Sequence, residues 1–445
     1  VRRRPFDQMR LRLAKLLTRG LEAAGGGPRA VGWRATPDVA GAIQAGAFLT
    51  AARAQTGWLN DPRLARAVAV LVSSLVGSGY IPRSQHPNRE TRRRLAHLFR
   101  RWANRADATG RTDFAGLCRL IVRSMIATGD GFARFVWTDD ALPLRLQVLP
   151  SRAVGRDAVP VLANGHELID GIEIDRFGRP VAYHITLDEH LARSVRVPAE
   201  EIVHVFDQLT PDQFRGLSWL APVLTTAREL DSFKDAALAT ARTAALFSGV
   251  ITDVDGAGLE PGQEQGDGSV RIGVTPGSLW HAPPGKRVDW NDPPKLGESE
   301  TFVKAYLRDI ASGMNITYEQ LSGDYEGVSY SSVRAGANEH RRWVEQTQYA
   351  LIVPSLLTPV WQQFLRMVVL TNALPGHDLE ELEPVEWLMP RFAHVDPKAE
   401  IGADVAAIQA GLKSREQVIG EYGYDVETID AQIAADSFKS SEVTQ

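Results

Sequence analysis

Cysteine is almost missing from this chain: Cys118 stands alone among 445 residues. No intrachain disulfide can form, and Cys-rich zinc sites are excluded. Cys118 lies in the apolar pattern Leu117, Leu120, Ile121, which predicts a buried core thiol. Lysine is also scarce, 8 residues against 42 arginines, a bias of genome composition more than of recognition chemistry. An excess of positive charge is lacking too: the net charge is -4 and the pI about 6.3. A protein that grips duplex DNA statically neutralises many phosphates and is usually basic, so binding by bulk charge is disfavoured.

Long apolar runs are absent as well. The most apolar stretch, Leu64 to Val76, carries Arg66 and is too short to span a bilayer. No apolar segment follows the opening Val-Arg-Arg-Arg, so a secretory signal is not expected. The reading is a protein made in the cytoplasm with no membrane partner.

Catalytic signatures fail one by one. Gly285-Lys286 is followed by Arg287 where a phosphate-binding loop needs Ser or Thr, and the upstream Gly is missing. No dinucleotide fingerprint, His-Glu-x-x-His or G-x-S-x-G occurs. Asp253, Asp255, Gly258 and Glu264 take four positions of a calcium loop, but Ala257 fills a fifth that needs a ligand. Asp130 between two glycines is a candidate acid. The plainer account is a helix-to-strand turn, which Gly-Asp-Gly favours on backbone grounds. No catalytic residue, metal or cofactor is expected.

What is present is a folded chain of 44% hydrophobic residues, long enough for several domains. Residues 1–40, basic and rich in Gly and Ala, read as an arm. Helical spacing predicts helices over 61–76, 88–104 and 113–128. Short β-type runs follow at 132–137, 144–149, 171–175, 181–185 and 201–206, giving an α+β block with a small, mostly antiparallel sheet. A long helix is expected over 219–247, its second half rich in Ala. Residues 249–297, full of Gly and Pro, read as a small β insertion, and a helix over 298–314 follows it. An irregular loop at 315–330 leads into a helical stretch over 331–370. Pro354 and Pro359 should kink or split that stretch. Three short helices are expected over 396–436, with Pro397 opening the first and Ser414/Gln417 forming a capping box in the second.

From about Phe48 to Ser437 the chain resembles the lambda-type family of tailed-bacteriophage portal proteins. The residues that carry the resemblance are Leu75-Val-Gly-Ser-Gly-Tyr-Ile-Pro82, Trp102 through Asp113, Gly171-Ile-Glu-Ile-Asp175 with Gly178-Arg-Pro-Val-Ala-Tyr183, and Gln213-Phe-Arg-Gly-Leu-Ser-Trp-Leu-Ala-Pro222 with Glu229-Leu-Asp231. Tyr318-Glu-Gln-Leu-Ser-Gly-Asp324 with Ser329-Tyr-Ser-Ser-Val-Arg334, Val395-Asp-Pro-Lys398 and Ala410-Gly-Leu412 complete the series in the family's order.

The resemblance implies an α+β portal fold that forms a ring, expected to hold twelve subunits, at one capsid vertex of the virion. DNA is packaged and ejected through it. It implies an arm at 1–40, an α/β wing at 41–217, stem helices at 218–248 and 298–314, and a clip at 249–297. A tunnel loop at 315–331, a wing spine helix at 332–372 and a helical crown at 373–445 follow. Gly323, Asp324, Tyr325, Glu326, Gly327, Val328, Ser329 and Tyr330 would line the channel. Lys304, Arg308 and Arg334 would be its nearest cations; an ion pair within or between subunits is the plainer use of each. Trp280, His281, Lys286, Arg287 and Trp290 of the clip would meet partners, or the two tryptophans would form the clip's own core. The implied partners are double-stranded DNA, the terminase large subunit, a head–tail adaptor, and the major capsid and scaffold proteins. Two rival readings stand: another structural phage protein such as a minor head protein, and a nuclease or protease of phage morphogenesis.

Overall fold

A computed structural model describes residues 36–155, 162, 165–188, 193–246, 249–253, 263–264, 270–271, 286–290, 297–390, 392, 397–424 and 426–436. Of the expected arm only residues 36–40 are among them. They lead into a helix, Val39–Asn60, that sequence reading did not find. Its apolar residues do not form one stripe, and only Ile43, Ala47 and Ala54 are buried. A period of 3.6 residues is the signal that reading depends on, and this helix does not show it.

The other N-terminal helices fall where the spacing put them: Pro62–Val76, Arg89–Ala103 and Phe114–Thr128. Each opens on a side-chain cap, Asp61, Asn88 and Asp113 respectively, which satisfies otherwise orphaned amides. Their buried faces meet the C-terminal part of the chain. Trp102 packs on Phe114 at 5.4 Å and on Phe364 at 5.6 Å, and Phe99 lies 5.9 Å from Trp361. The polar edges are satisfied too: the Trp102 indole donates to the Leu144 carbonyl at 2.9 Å and that of Trp361 to Glu383 at 3.0 Å. Full burial of each such ring contributes on the order of 1.5–3 kcal/mol or more. Cys118 is fully buried in this core, which pushes its thiol well above the ordinary range.

The strands form small antiparallel sheets. β2 (Gly131–Trp137) pairs with β3 (Leu144–Leu149) and β8 (Ile202–Val205). β4 (Glu167–Ile169), β5 (Ile172–Ile174), β6 (Pro180–Asp188) and β7 (Arg193–Pro198) make a four-stranded meander. A second hydrophobic cluster, with Phe132, Ile172, Tyr183, Ile185 and Val197, joins the two sheets. β1 (Ile81–Ser84) was not expected, because Pro82 weakens its strand pattern. It pairs with β13 (Val385–Leu388), Pro82 standing opposite Trp387. That pairing fastens residues after the long helical stretch to the N-terminal helices.

The long helix begins at Leu224 rather than near 219 and runs to Leu246. Residues 219–223 instead form a tight turn. The Ser218 hydroxyl donates to the Ala127 carbonyl at 2.9 Å and accepts from the Leu220 amide at 3.2 Å, pinning the chain before the helix can start. In the insertion, β9 (Gly249–Asp253) pairs with β12 (Lys286–Trp290), and β10 (Gln263–Glu264) with β11 (Val270–Arg271). The helix Gly297–Gly313 follows, one residue ahead of its expected start.

The stretch over 330–370 neither splits nor ends at its prolines. It runs as α-helix Tyr330–Thr347, a π-helical segment Gln348–Leu357, and α-helix Thr358–Leu370. Pro354 has no N–H and its ring crowds the carbonyl four residues back. The wider π turn removes that conflict without breaking the helix. Pro359 sits in the first turn of the last piece, where a missing N–H costs little. The C-terminal helices are Pro397–Gln409, Arg415–Glu421 and Val426–Ala435, and the Ser414/Gln417 capping box is formed. Glu427 receives Arg92 at 2.7 Å, which ties the last of them to the Arg89–Ala103 helix. No helix among the described residues is long and apolar enough to cross a membrane.

Candidate functional site

Three features position the residues that the sequence points to. The first is a buried polar knot at the foot of β2. Asp130 ends the turn after the Phe114–Thr128 helix, and its side chain is 3% exposed. Its carboxylate accepts from Arg215 Nε at 2.9 Å, His204 Nε2 at 3.0 Å and the Gly216 amide at 2.7 Å. The guanidinium of Arg215 goes on to the carbonyl of Asp170 at 3.0 Å and of Ser151 at 3.2 Å. The Tyr183 hydroxyl stands 3.3 Å from His204 Nδ1, and Phe132 stacks on the imidazole at 4.2 Å.

Burial pushes the Asp130 carboxyl up, but Arg215, His204 and the Gly216 amide together outweigh it and hold the group below the usual range. Burial holds the His204 imidazole down against the pull of Asp130. With the Asp130 carboxylate as an acceptor, the contacts fit the tautomer whose Nε2–H donates to Asp130 and whose Nδ1 accepts from the Tyr183 hydroxyl. Each of these polar groups has a partner. The turn reading of Asp130 is right and incomplete: the residue fastens a strand, a loop and a helix end together. Its partners stand at 204, 215 and 216, so no local pattern could reveal them.

The second feature is the helix pair. Leu224–Leu246 and Gly297–Gly313 pack side by side. Phe233 meets Phe302 at 4.4 Å, and Phe302 meets Tyr306 at 4.6 Å. Only the base of the pair is buried, at Leu220, Val223, Ala227, Leu230, Ile310, Ala311 and Met314. A Cβ on Gly313 would stand 2.5 Å from Val223 Cγ1, so glycine lets the two segments approach. From 231 to 242 no residue of the longer helix is buried, and Leu238 of the expected apolar stripe is 49% exposed. The pair is rooted in the core at one end and projects from it at the other.

The third feature is the loop at the foot of that pair. A short helix, Tyr318–Ser322, opens on a capping box of Thr317 and Gln320 and closes on Gly323 in the left-handed conformation. Asp324 turns back: its carboxylate accepts the Tyr318 hydroxyl at 3.0 Å and the Glu326 amide at 3.0 Å. These, the amide first, hold it below the usual carboxylate range. Lys304 pairs with Glu300 at 2.8 Å along its own helix, and the Arg308 guanidinium lies 5.5 Å from the Tyr318 ring centre. Tyr325 and Tyr330 are 58% and 55% exposed, and Glu326, Gly327 and Ser329 are exposed with them. Val328 is half-buried, and Arg334 stands exposed one turn into the following helix, which Ser329 caps.

The structure thus gathers Lys304, Arg308 and Asp324 around Tyr318, with the tyrosines and Glu326 outermost. Trp280 and His281 lie outside the described residues. Lys286, Arg287 and Trp290 lie on β12, opposite Asp253, Thr252 and Gly249 of β9. Most of the calcium-like segment also lies outside the described residues.

The family model described as "Phage portal protein, lambda family" matches residues 26–348. A "Probable portal protein" of Halomonas phage phiHAP-1 is 27% identical over 368 residues, covering 78% of this chain and 70% of that protein. "Portal protein B" of Escherichia phage lambda is 24% identical over 306 residues, covering 59% of this chain and 56% of that protein. The "Portal protein" of Escherichia phage N15 is 24% identical, with 60% and 58% covered. The chain thus spans little more than half the length of these last two. Among solved structures, "Neck of native GTA particle computed with C12 symmetry" is similar at a TM-score of 0.50 and 16% identity, covering 84% of this chain and 93% of the other. "Neck of empty GTA particle computed with C6 symmetry" gives 0.51 and 18%, with the same coverage. At that identity the likeness bears on fold alone. The match of one family model over most of the chain, on a fold of the same kind, makes this chain a member of the lambda family of phage portal proteins.

Proposed function

We propose that the chain is one subunit of a ring at a capsid vertex, through whose central opening phage DNA is packaged and later ejected. The observation that carries this reading is the helix pair, rooted in the core at one end and unburied at the other, within a chain of the portal family. Small and apolar side chains left bare on a projecting pair need neighbours, and copies of the same chain around an axis supply them. A ring of twelve accords with the twelve-fold symmetry of one related neck.

Within the ring, the loop Gly323–Tyr330 is the part that touches the duplex. Each ionic contact to a phosphate deepens a well that moving DNA must leave. The loop offers tyrosine faces, glycines and acids, and its nearest lysine already pairs with Glu300. The ring passes the duplex without gripping it. In the same reading β9–β12 and the chain between them form the outer end, with Trp280, His281, Lys286, Arg287 and Trp290 meeting the terminase large subunit during packaging and a head–tail adaptor afterwards. Two partners that use one surface in succession need moderate affinity and a polar rim. Major capsid and scaffold proteins would surround the ring's outer edge. Residues 41–217 act as wing, 218–248 and 298–314 as stem, 249–297 as clip, 332–372 as spine and 373–445 as crown.

The chain carries no chemistry of its own in this reading. Purified protein is expected to form rings of about a dozen subunits by light scattering and electron microscopy, and to release no phosphate from ATP. Monomers alone at high concentration, or a sizeable ATPase, would overturn the proposal.

A further inference from the structure

His86, just beyond β1, and His377 with Glu381, beyond the Thr358–Leu370 helix, come from segments almost three hundred residues apart, and the β1–β13 pairing brings them together. One ligand atom from each lies within 4.8 Å of the others. His377 Nδ1 stands 3.3 Å from Glu381 Oε2. That is close to the separation, about 3.4 Å, of two ligands held at 2.0–2.2 Å on one tetrahedral metal. The other nitrogen of His377 lies 3.4 Å from the Thr91 hydroxyl. An Nε2–H donated there would fix the tautomer that leaves Nδ1 free to ligate, as outer partners of metal-bound histidines do.

As hydrogen bonds these two contacts are long; as the frame of a cation site they are well spaced. The His86 ring stands perpendicular to that of His377, 5.1 Å between centres. His86 is 7% exposed, whereas the Glu381 side chain is 56% exposed and free to close in.

We propose that His86, His377 and Glu381 form a divalent transition-metal site, with zinc the ion that two imidazoles and a carboxylate fit. The metal would replace the direct His377–Glu381 contact. His86 would give up the Asn88 amide bond now made to its Nδ1 at 3.1 Å, or turn its ring, to complete the set. Water would take the fourth position. The site would clamp the turn after the long helical stretch to the segment after β1, reinforcing the β1–β13 pair. It holds whether or not the chain assembles into a ring, because every ligand belongs to one subunit.

The test uses the full chain, stripped of metal with a chelator and dialysed against low micromolar zinc. Elemental analysis is expected to find one zinc per subunit in the wild type and none in His377→Ala or Glu381→Gln. Both substitutions are at partly exposed positions that leave the core untouched. Zinc should raise the melting temperature of the wild type and leave both variants unmoved, while Thr91→Val weakens binding at least tenfold, the low end of the loss usual for such partners. No zinc retained by the wild type, or retention in His377→Ala and Glu381→Gln equal to that of the wild type, would overturn the site. Ring formation, followed separately by light scattering, reports on the other proposal.

Discussion

At the scale of single residues, two buried carboxylates show how acid stability is set. Glu173, 1% exposed, accepts from Arg196 Nε at 2.7 Å and meets His166 Nδ1 at 2.6 Å. Arg196 above all, with His166 and His184 adding to it against the upward push of burial, holds the group at about 2. An unfolded glutamate titrates near 4.3. The folded value is the lower one, so the stabilisation is complete above about pH 4.3 and is lost as pH falls toward 2. Glu173→Gln should therefore separate from the wild type near pH 6 and converge with it near pH 2, a comparison that thermal melts across that range would make. Asp130 predicts a larger effect at neutral pH. Asp130→Asn would leave the guanidinium of Arg215, 10% exposed, without its counter-charge. Breaking one side of such a pair costs about 3–5 kcal/mol, to be read from urea unfolding with secondary structure as the probe. Neither network was legible in the sequence: the Asp130 partners stand 74 to 86 residues on, and Glu173 meets Arg196 only through the β5–β6 and β6–β7 pairings. Gly129-Asp-Gly131 announced a turn, while the Gln213-Phe-Arg-Gly segment gave a family resemblance and no hint that Arg215 reaches Asp130.

Between elements, the placement of glycine explains why two turns can touch. A Cβ on Gly216 would fall 1.9 Å from the Gly129 carbonyl oxygen, and one on Gly129 2.4 Å from that of Gly216. Backbone meets backbone there, and neither side has a flexible end that can yield. Gly216→Ala should consequently cost 3 kcal/mol or more, beyond the usual penalty for overpacking, and shift the Asp130–Gly216 contact with it. Circular dichroism during denaturant titration would show the loss; a change below about 1 kcal/mol, within the range of ordinary substitutions, would refute the clash. Elements with a clear period were readable at this scale, as the helices expected over 61–76, 88–104 and 113–128 and the capping box at Ser414 illustrate. Three things were not. Val39–Asn60 carries no single apolar stripe. β1 contains Pro82 and finds its partner three hundred residues on. Pro354 signalled a break that the chain avoids by widening its helix. A tertiary neighbour, β13, decided β1, whereas the π segment answers a backbone conflict at Pro354 itself.

For the molecule as a whole, the Val39–Asn60 helix is informative because its exposure is wrong for a lone globule. Leu49 and Leu59 are 54% and 73% exposed, on a helix that buries only three small or branched side chains against its own subunit. A helix that is apolar on most sides is normally buried on most sides. In the proposed ring the cover is the adjacent subunit, which makes this helix, along with the bare upper half of Leu224–Leu246, part of the surface that closes the ring. Leu49→Asp combined with Leu59→Asp places two charges in that contact and touches nothing in the monomer's core. The double variant is expected to keep the wild-type circular dichroism and melting behaviour of the subunit while its mass by light scattering falls from the ring to the monomer. Rings of unchanged mass would show that these leucines face solvent in the assembly, and would move the subunit contact elsewhere on the molecule.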